Sequence, residues 1–338
     1  MTQGRVAGID LSMALSVLVL ISIMFSGALS GWKAPIGAFE NDIVEDTLTG
    51  FFFYMVGYRS KFIIRTLLSG PRRSGRYFLI RSGAFLILGG IGYFAFDNAI
   101  LLSLGLALLL GPFLSQLHSN FLYFAIFGSA LASLIFPLNY VESQGKPNIF
   151  FEWWEHLLFL RYDSFLSWLM FFCYGMITGR MNFSDRKWRR NLRNGSLALV
   201  GFAIVIHFLS FSFFKAGYLA VDPRESRLLP WPLLSYRPAF LIGALPLCNL
   251  ILLWVSSVGH LLMNSPKWQF LGRIGIFHLS VLTASSILAI LLRLVGPSPE
   301  WLAGLIGLLA AGSIVLLFYL FQGKLRNGPV EWLIQRLY

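Results

Sequence analysis

Long runs of apolar residues, separated by short polar segments, make up most of this 338-residue chain. A helix needs about 20 mostly apolar residues to cross a hydrocarbon core of ~30 Å. The pattern therefore predicts an all-α, polytopic membrane helix bundle, with a single transmembrane domain over residues 1–338 and about ten spans. The expected spans are 9–30, 47–69, 77–96, 98–115, 120–138, 163–180, 196–214, 237–262, 271–295 and 300–321.

The composition agrees with a membrane protein. Hydrophobic residues make up 57% of the chain and charged residues 12%, with a mean hydropathy of +0.70. An ordinary globular domain has about 25% charged residues, so a soluble enzyme, a disordered chain and a disulfide scaffold are excluded. Cys173 and Cys248, the two cysteines, lie inside predicted spans, so we expect buried thiols and no disulfide.

The net charge of +12 predicts how the chain is oriented. In a soluble protein this charge would suggest nucleic acid as a partner, but in a membrane protein it indicates which loops are cytoplasmic. The basic segments 71–76 and 186–193 fall on the same side of a ten-span chain. We expect that side and both termini to be cytoplasmic, with no nucleic-acid partner. The cations would face anionic lipid of the bilayer or a polyanionic cytosolic ligand.

The second predicted span carries an unusual number of cations. Lys61 and Arg65 are four residues apart, so they would share one helix face, and Arg59 lies deeper in the span. Arg72 and Arg73 follow in the next loop. Long cationic side chains can reach the lipid headgroups. Alternatively, they line a water-filled vestibule for phosphates, which arginine binds in a bidentate manner.

Two predicted outer segments combine carboxylates with aromatic rings. Residues 40–46 form an acidic run between the first two spans, and residues 150–156 contain Phe, Trp, Glu and His before the sixth span. Such groups can stack on a sugar ring and bind its hydroxyls, or they can form an interfacial aromatic belt. No spacing of Cys and His is typical of a metal site, so we expect no metal.

Several segments resemble the YeiB-like membrane family (domain of unknown function 418). Residues 328–338 resemble its terminal GPxEWLxR motif, which is the most specific of the similarities. Asp10 is similar to the acidic residue near the start of its first span, and Gly272-Arg273 matches the start of a later helix. The remaining similar segments are 60–70, 76–112 and 167–180.

This family looks related to transmembrane acyltransferases, including the heparan-α-glucosaminide N-acetyltransferase type. Residues 45–57 resemble the acidic and aromatic start of the second span in that group. The resemblance implies a bacterial inner-membrane protein with a cytosolic acyl-CoA vestibule and an extracytoplasmic acceptor site for a carbohydrate or lipid. Asp46 would act on the acceptor as a catalytic residue. The phosphates of acyl-CoA would be held by Lys61, Arg65, Arg72, Arg73 and Arg273.

The chain departs from the family pattern at the positions expected to be catalytic. Met13-Ala14 replaces an Arg-Gly pair, and no histidine lies between Met24 and Asp46, where relatives carry one. His278 is a candidate relocated base. Two alternatives therefore stay open. The chain could be a catalytically inactive subunit, with membrane-protein partners or as a homo-oligomer, or a transporter of an anionic solute.

Overall fold

The computed structural model describes residues 3–30, 47–60, 79–87, 89–90, 100–142, 165–181, 185–218, 231–263, 269–293 and 300–320. Within these ranges the regular elements are all helices, and no strand occurs. The helices are α1 (Gln3–Ser30), α2 (47–60), α3 (79–87), α4 (Ile100–Gln116), α5 (Ser119–Glu142), α6 (Phe165–Arg180), α7 (Arg186–Tyr218), α8 (Trp231–Met263), α9 (Gln269–Ile276), α10 (His278–Arg293) and α11 (Glu300–Leu320).

Helices that follow one another in the chain can pack in opposite directions. The packing of α7 against α8 illustrates this, because Ser196 and Asn249 are hydrogen-bonded while Ala203 lies against Gly243. Two helices are antiparallel when residue numbers increase along one helix while the numbers of their contact partners in the other helix decrease.

Several helix termini meet at one end of the bundle, which we call the Arg59 end. The C-terminal part of α2 reaches the N-terminal part of α1 through Arg59 and Asp10. A Cβ on Gly8 of α1 would lie 3.0 Å from Cα of Ser256, near the end of α8. A Cβ on Gly179, near the end of α6, would lie 2.8 Å from the carbonyl oxygen of Tyr58. The Arg59 end therefore contains the start of α1 and the ends of α2, α6 and α8.

Three helices in the described part of the chain are long and apolar enough to cross a membrane. They contain Gly8–Phe25, Ile242–Gly259 and Leu302–Leu320. The α9–α10 pair gives a fourth if it forms one bent span, and α4 and the start of α5 are shorter apolar helices. The predicted all-helical class is confirmed for the described residues, with three candidate membrane spans. The ten-span arrangement stays a prediction.

The ninth predicted span is divided into two helices. Residues 271–295 were expected to be continuous, but α9 and α10 meet at Phe277 with a bend of 73°. The side chains of Arg59 and His278 both bond the carbonyl oxygen of Gly275 beside this bend. Side chains that insert into the helical hydrogen-bond ladder are a common cause of sharp bends. The composition of the span does not reveal this.

The packing of α2 against α6 depends on glycines. A Cβ on Gly57 would overlap the backbone of Phe172, and a Cβ on Gly175 would overlap the backbone of Tyr54. Small residues at such positions allow the two backbones to approach closely, as in many membrane helix pairs. Beside this contact, the rings of Phe53 and Trp168 stack with centroids 5.4 Å apart. The α2–α6 pair is therefore a closely packed centre of the core.

Candidate functional site

The structure describes two of the seven residues that were predicted from the sequence to be catalytic or to bind acyl-CoA. Asp46, Lys61, Arg65, Arg72 and Arg73 lie outside the described residues, so their predicted roles are not tested. Arg273 is in α9, and His278 is the first residue of α10. Both lie at the bend of the ninth predicted span, where they join charged residues from α1, α2 and α3.

Asp10 and Arg59 form an ion pair between α1 and α2. Nη2 of Arg59 lies 3.1 Å from Oδ1 of Asp10, and the two side chains are 21% and 12% exposed. A charged group removed from water requires a partner of opposite charge, since desolvation costs several kcal/mol per ion. The pair explains how Arg59, which the sequence placed too deep for lipid headgroups, is accommodated inside the bundle.

The carbonyl oxygen of Gly275 is the point where α2 meets the α9–α10 bend. Nη1 of Arg59 donates to this oxygen at 2.7 Å. Nδ1 of His278 also lies 3.0 Å from it. Gly275 has no side chain to separate the helices, and a Cβ there would overlap the carbonyl of Asp10. The glycine therefore lets α1 approach the bend closely enough for the Asp10–Arg59 pair to form.

The hydrogen bonds of His278 define its charge state and tautomer. A carbonyl oxygen only accepts, so Nδ1 must carry the proton that it shares with Gly275. Nε2 pairs with Nη2 of Arg81, whose guanidinium only donates, so Nε2 must be the acceptor. His278 is thus a neutral imidazole with both ring nitrogens engaged, and it links α3 to the bend.

Arg273 contributes a third guanidinium at the bend. Its Nη1 is buried and has no hydrogen-bond partner within the described ranges. Buried polar groups are nearly always hydrogen-bonded, so an unsatisfied guanidinium nitrogen calls for an explanation such as a ligand or an ion. Arg273 was predicted from the sequence as a ligand-binding residue, and this nitrogen is compatible with that role.

Among the described residues of this region, which we call the bend cluster, cations exceed anions. Arg59, Arg81 and Arg273 are always charged, Asp10 is the carboxylate that pairs with one of them, and His278 is neutral. The bend cluster therefore carries surplus positive charge in a largely buried environment, which attracts anions. It has no described nucleophile and no free base at the bend, because both nitrogens of His278 are occupied.

A second buried polar network was not anticipated from the sequence. The hydroxyl of Tyr54 donates to Oδ1 of Asn249 at 3.0 Å. Nδ2 of Asn249 in turn donates to the hydroxyl of Tyr174 at 2.6 Å and lies 3.3 Å from Oγ of Ser196. The network joins α2, α6, α7 and α8. An asparagine in the middle of an apolar span was the signal that could have revealed it, because amides inside membranes need partners.

The start of α1 is tightly packed beside the ion pair. Met13, which stands where the resembled family has arginine, is fully buried in the hydrophobic core. Met24 packs against the same core from farther along the helix. Side chains of α1 thus fill space between the Arg59 end and the other end of the bundle.

Comparisons of the chain with protein-family models, with curated proteins and with solved structures return no match. The resemblance to the YeiB-like family therefore stays a hypothesis drawn from sequence motifs. Within the described ranges, no three His, Cys, Asp or Glu side chains gather as a metal site.

Proposed function

We propose that this protein is an acyltransferase-like membrane protein of about ten transmembrane helices. It moves an acyl group from cytosolic acyl-CoA to an extracytoplasmic carbohydrate or lipid, in a bacterial cytoplasmic membrane. The observation that carries the proposal is the buried Nη1 of Arg273 in the bend cluster, which has no hydrogen-bond partner among the described residues. It provides a cationic hydrogen-bond donor for an anionic ligand in a region with surplus positive charge.

The chemistry of acyl-CoA fits this region. Coenzyme A carries three phosphates, and arginine binds phosphate through directed, charge-assisted hydrogen bonds. The bend cluster lies where the ends of α2, α6 and α8 meet, and the basic segment 186–193 is at the adjacent start of α7. The excess of Lys and Arg favours a cytosolic location for this end. Lys61, Arg65, Arg72 and Arg73 would add further phosphate contacts.

We assign the acceptor side of the reaction to Asp46. The acyl group leaves the CoA sulfur as the acceptor hydroxyl or amine attacks the thioester carbonyl, and a base must take the acceptor's proton. His278 is a poor candidate, because Nε2 and Nδ1 are both occupied by Arg81 and Gly275. In the sequence Asp46 directly precedes α2, and Arg59 is near the other end of that helix.

Binding of acetyl-CoA tests the cytosolic half of the proposal. Purified protein in a mild detergent is titrated with acetyl-CoA by calorimetry. We expect binding that weakens about tenfold in Arg273→Gln, since a hydrogen bond to a charged group contributes about 1.5–3 kcal/mol. Lys61→Ala and Arg65→Ala should weaken it as well. Arg190→Gln, which removes an exposed cation of α7, is the matched control and should leave binding unchanged.

Absence of a binding signal at millimolar acetyl-CoA would overturn the proposal. Equal weakening by Arg273→Gln and Arg190→Gln would show that any lost cation has the same effect, so that Arg273 holds no specific site. Transfer is tested separately, by following labelled acetyl groups from outside acetyl-CoA to an acceptor sealed inside inverted vesicles. Asp46→Asn should abolish transfer and leave acetyl-CoA binding intact.

A second candidate, a catalytically inactive structural or accessory subunit, is favoured by the packing at the Arg59 end. Arg59 is held by Asp10 and Gly275, Arg81 is paired with His278, and Met13 fills the core beside them. These contacts also suit a rigid structural junction. This function predicts co-purification with a stoichiometric membrane partner. A monodisperse monomer that binds acetyl-CoA would contradict it.

A further inference from the structure

The start of α7 presents a dense set of exposed cations, which we call the basic collar (residues 186–193). The single carboxylate next to it, Asp185, is committed to the helix terminus, because its Oδ1 accepts the backbone N–H of Lys187 at 2.9 Å. This is the usual role of an N-cap aspartate. The exposed cations of the collar are Arg186, Lys187, Arg189, Arg190 and Arg193.

The collar continues directly into an exposed apolar stripe. At 3.6 residues per turn, positions 190, 193, 197, 204 and 208 fall within about 60° of one another around the helix. The first two are arginines, and the next three are Leu197, Ile204 and Phe208, which are 53%, 52% and 65% exposed. The same side of α7 is thus cationic at its start and apolar beyond it.

The other side of α7 is packed inside the protein. Ser196 and Ala203 are buried, and Ser196 bonds Asn249 of α8. The position of α7 is therefore fixed by α8, and its outward side is left for the surroundings. A large exposed apolar surface in a membrane protein faces lipid tails.

The length of α7 places the collar at the membrane surface. Its 33 residues extend about 50 Å at ~1.5 Å per residue. A hydrocarbon core of ~30 Å needs only about 20 of them. With the apolar stripe in the core, the collar lies at the depth of the phosphate groups.

We propose that the basic collar is a binding site for anionic phospholipid. The arginine and lysine side chains bind the headgroup phosphates, while Leu197, Ile204 and Phe208 contact the acyl chains of the same lipids. This partner is chosen by charge complementarity and by the continuous cationic and apolar side of one helix. Since it does not depend on acyl transfer, the site remains whether or not acetyl-CoA binds.

The test measures lipid preference next to the collar by energy transfer. Asn191, an exposed residue within the collar, is replaced by cysteine and labelled with a donor dye. Cys173 and Cys248 are buried, so the label is selective. Two vesicle preparations are compared, both of phosphatidylcholine with 20 mol% phosphatidylglycerol. One contains a trace of phosphatidylglycerol with an acceptor dye on its acyl chain, and the other contains a trace of phosphatidylcholine with the same dye. We expect transfer to the phosphatidylglycerol probe to exceed transfer to the phosphatidylcholine probe at least threefold.

A matched control site exists at the same end of the bundle. Asn120 is exposed at the α4–α5 turn, and residues 100–131 contain no Lys, Arg, Asp or Glu. Arg180 at the end of α6 donates to Ser119 Oγ at 3.2 Å and to the carbonyl oxygen of Ser115 at 3.1 Å, so this turn lies near the start of α7. A donor at Asn120→Cys, near which Arg180 is the described cation, should report a ratio between the two probes well below that at position 191.

Charge variants identify the residues responsible. The triple variant Arg189→Gln, Arg190→Gln, Arg193→Gln should clearly lower the ratio at position 191, since each cation near the surface contributes about fivefold. Arg186 and Lys187 remain and should retain part of the preference. The corresponding Arg→Lys triple variant should keep the preference, because only the charge matters. Adding 1 M NaCl should also remove the preference in the unmodified collar, by screening the exposed charges.

Three results would overturn the proposal. The first is an equal ratio at positions 191 and 120, and the second is a preference unaffected by 1 M NaCl. The third is a glutamine triple variant that retains the full preference. If the glutamine variant does not insert, the comparison of positions 191 and 120 and the salt titration still decide, since neither alters a collar arginine.

Discussion

Nη2 of Arg59 lies 3.1 Å from Oδ1 of Asp10, and the same guanidinium donates through Nη1 to the carbonyl oxygen of Gly275 at 2.7 Å. One side chain of α2 thereby holds the start of α1 and the α9–α10 bend. Because three helices converge on it, Arg59 should contribute more to stability than a single surface ion pair, which contributes about 0–1 kcal/mol.

Replacing Arg59 by methionine should destabilise the protein by about 2 kcal/mol, because Asp10 would keep a largely buried charge without its partner. Thermal unfolding in one detergent should show a clear fall in Tm. Asp10→Asn together with Arg59→Met should cost less than the sum of the single changes, since the two residues interact directly. Arg190→Met, at an exposed cation of α7, is the control. Additive single effects would contradict the ion pair.

His278→Phe should also lower Tm, because Arg81 and Gly275 would both lose their bond to the imidazole. The expected cost is about 2 kcal/mol, as for hydrogen bonds to charged groups. His278→Asn retains a donor and an acceptor, so its Tm should lie between those of wild type and the phenylalanine variant. His118→Phe, at the exposed α4–α5 turn, should have little effect. An unchanged Tm in His278→Phe would contradict the contacts of His278 with Arg81 and Gly275.

Gly175→Ala should destabilise by about 1–3 kcal/mol, since its Cβ would overlap the backbone of Tyr54 and force α2 and α6 apart. Gly57→Ala should behave similarly against Phe172. Gly201→Ala provides the matched control, because nothing lies within 4 Å of its Cβ. Thermal unfolding of the three variants side by side is the measurement, and equal Tm values would rule out close packing of α2 on α6.

Asn249→Leu should lower stability by about 1–2 kcal/mol, as interhelical hydrogen bonds in membranes average about 0.6 kcal/mol each. The substitution leaves the hydroxyls of Tyr54, Tyr174 and Ser196 without their shared partner. Ser257→Ala removes a hydroxyl that bonds only within its own helix, so it should be nearly neutral. A leucine variant as stable as wild type would indicate that the network contributes nothing.

Cys173 and Cys248 should resist a water-soluble maleimide in the folded protein, because both are buried free thiols. Intact mass measurement should find almost no adduct before denaturation and two adducts after unfolding in sodium dodecyl sulfate. Rapid labelling of either cysteine in the folded state would contradict the packing of α6 or α8. The position-191 experiment depends on the same property.

The sequence identified several residues of the site but did not show which of them contact one another. The sequence singled out Arg59, Arg273 and His278 as unusual residues in apolar surroundings, and the structure brings all three to the α9–α10 region. It did not indicate that Asp10 in α1 would neutralise Arg59 in α2, since such pairing depends on which helices become neighbours. Asp46 and the cations from Lys61 to Arg73 remain predictions.

The apolar periodicity by itself determined that the chain is helical and contains segments long and apolar enough to span a membrane. A hydrocarbon environment favours helices because every backbone polar group must bond within its helix. The charge pattern predicts an orientation, which stays a prediction. Only the tertiary structure decided which polar side chains meet: Arg59 with Asp10, Arg81 with His278, and Tyr54 with Asn249. Those contacts depend on close approaches at Gly57, Gly175 and Gly275. Local sequence cannot reveal them, because the partners are up to 197 positions apart in the chain.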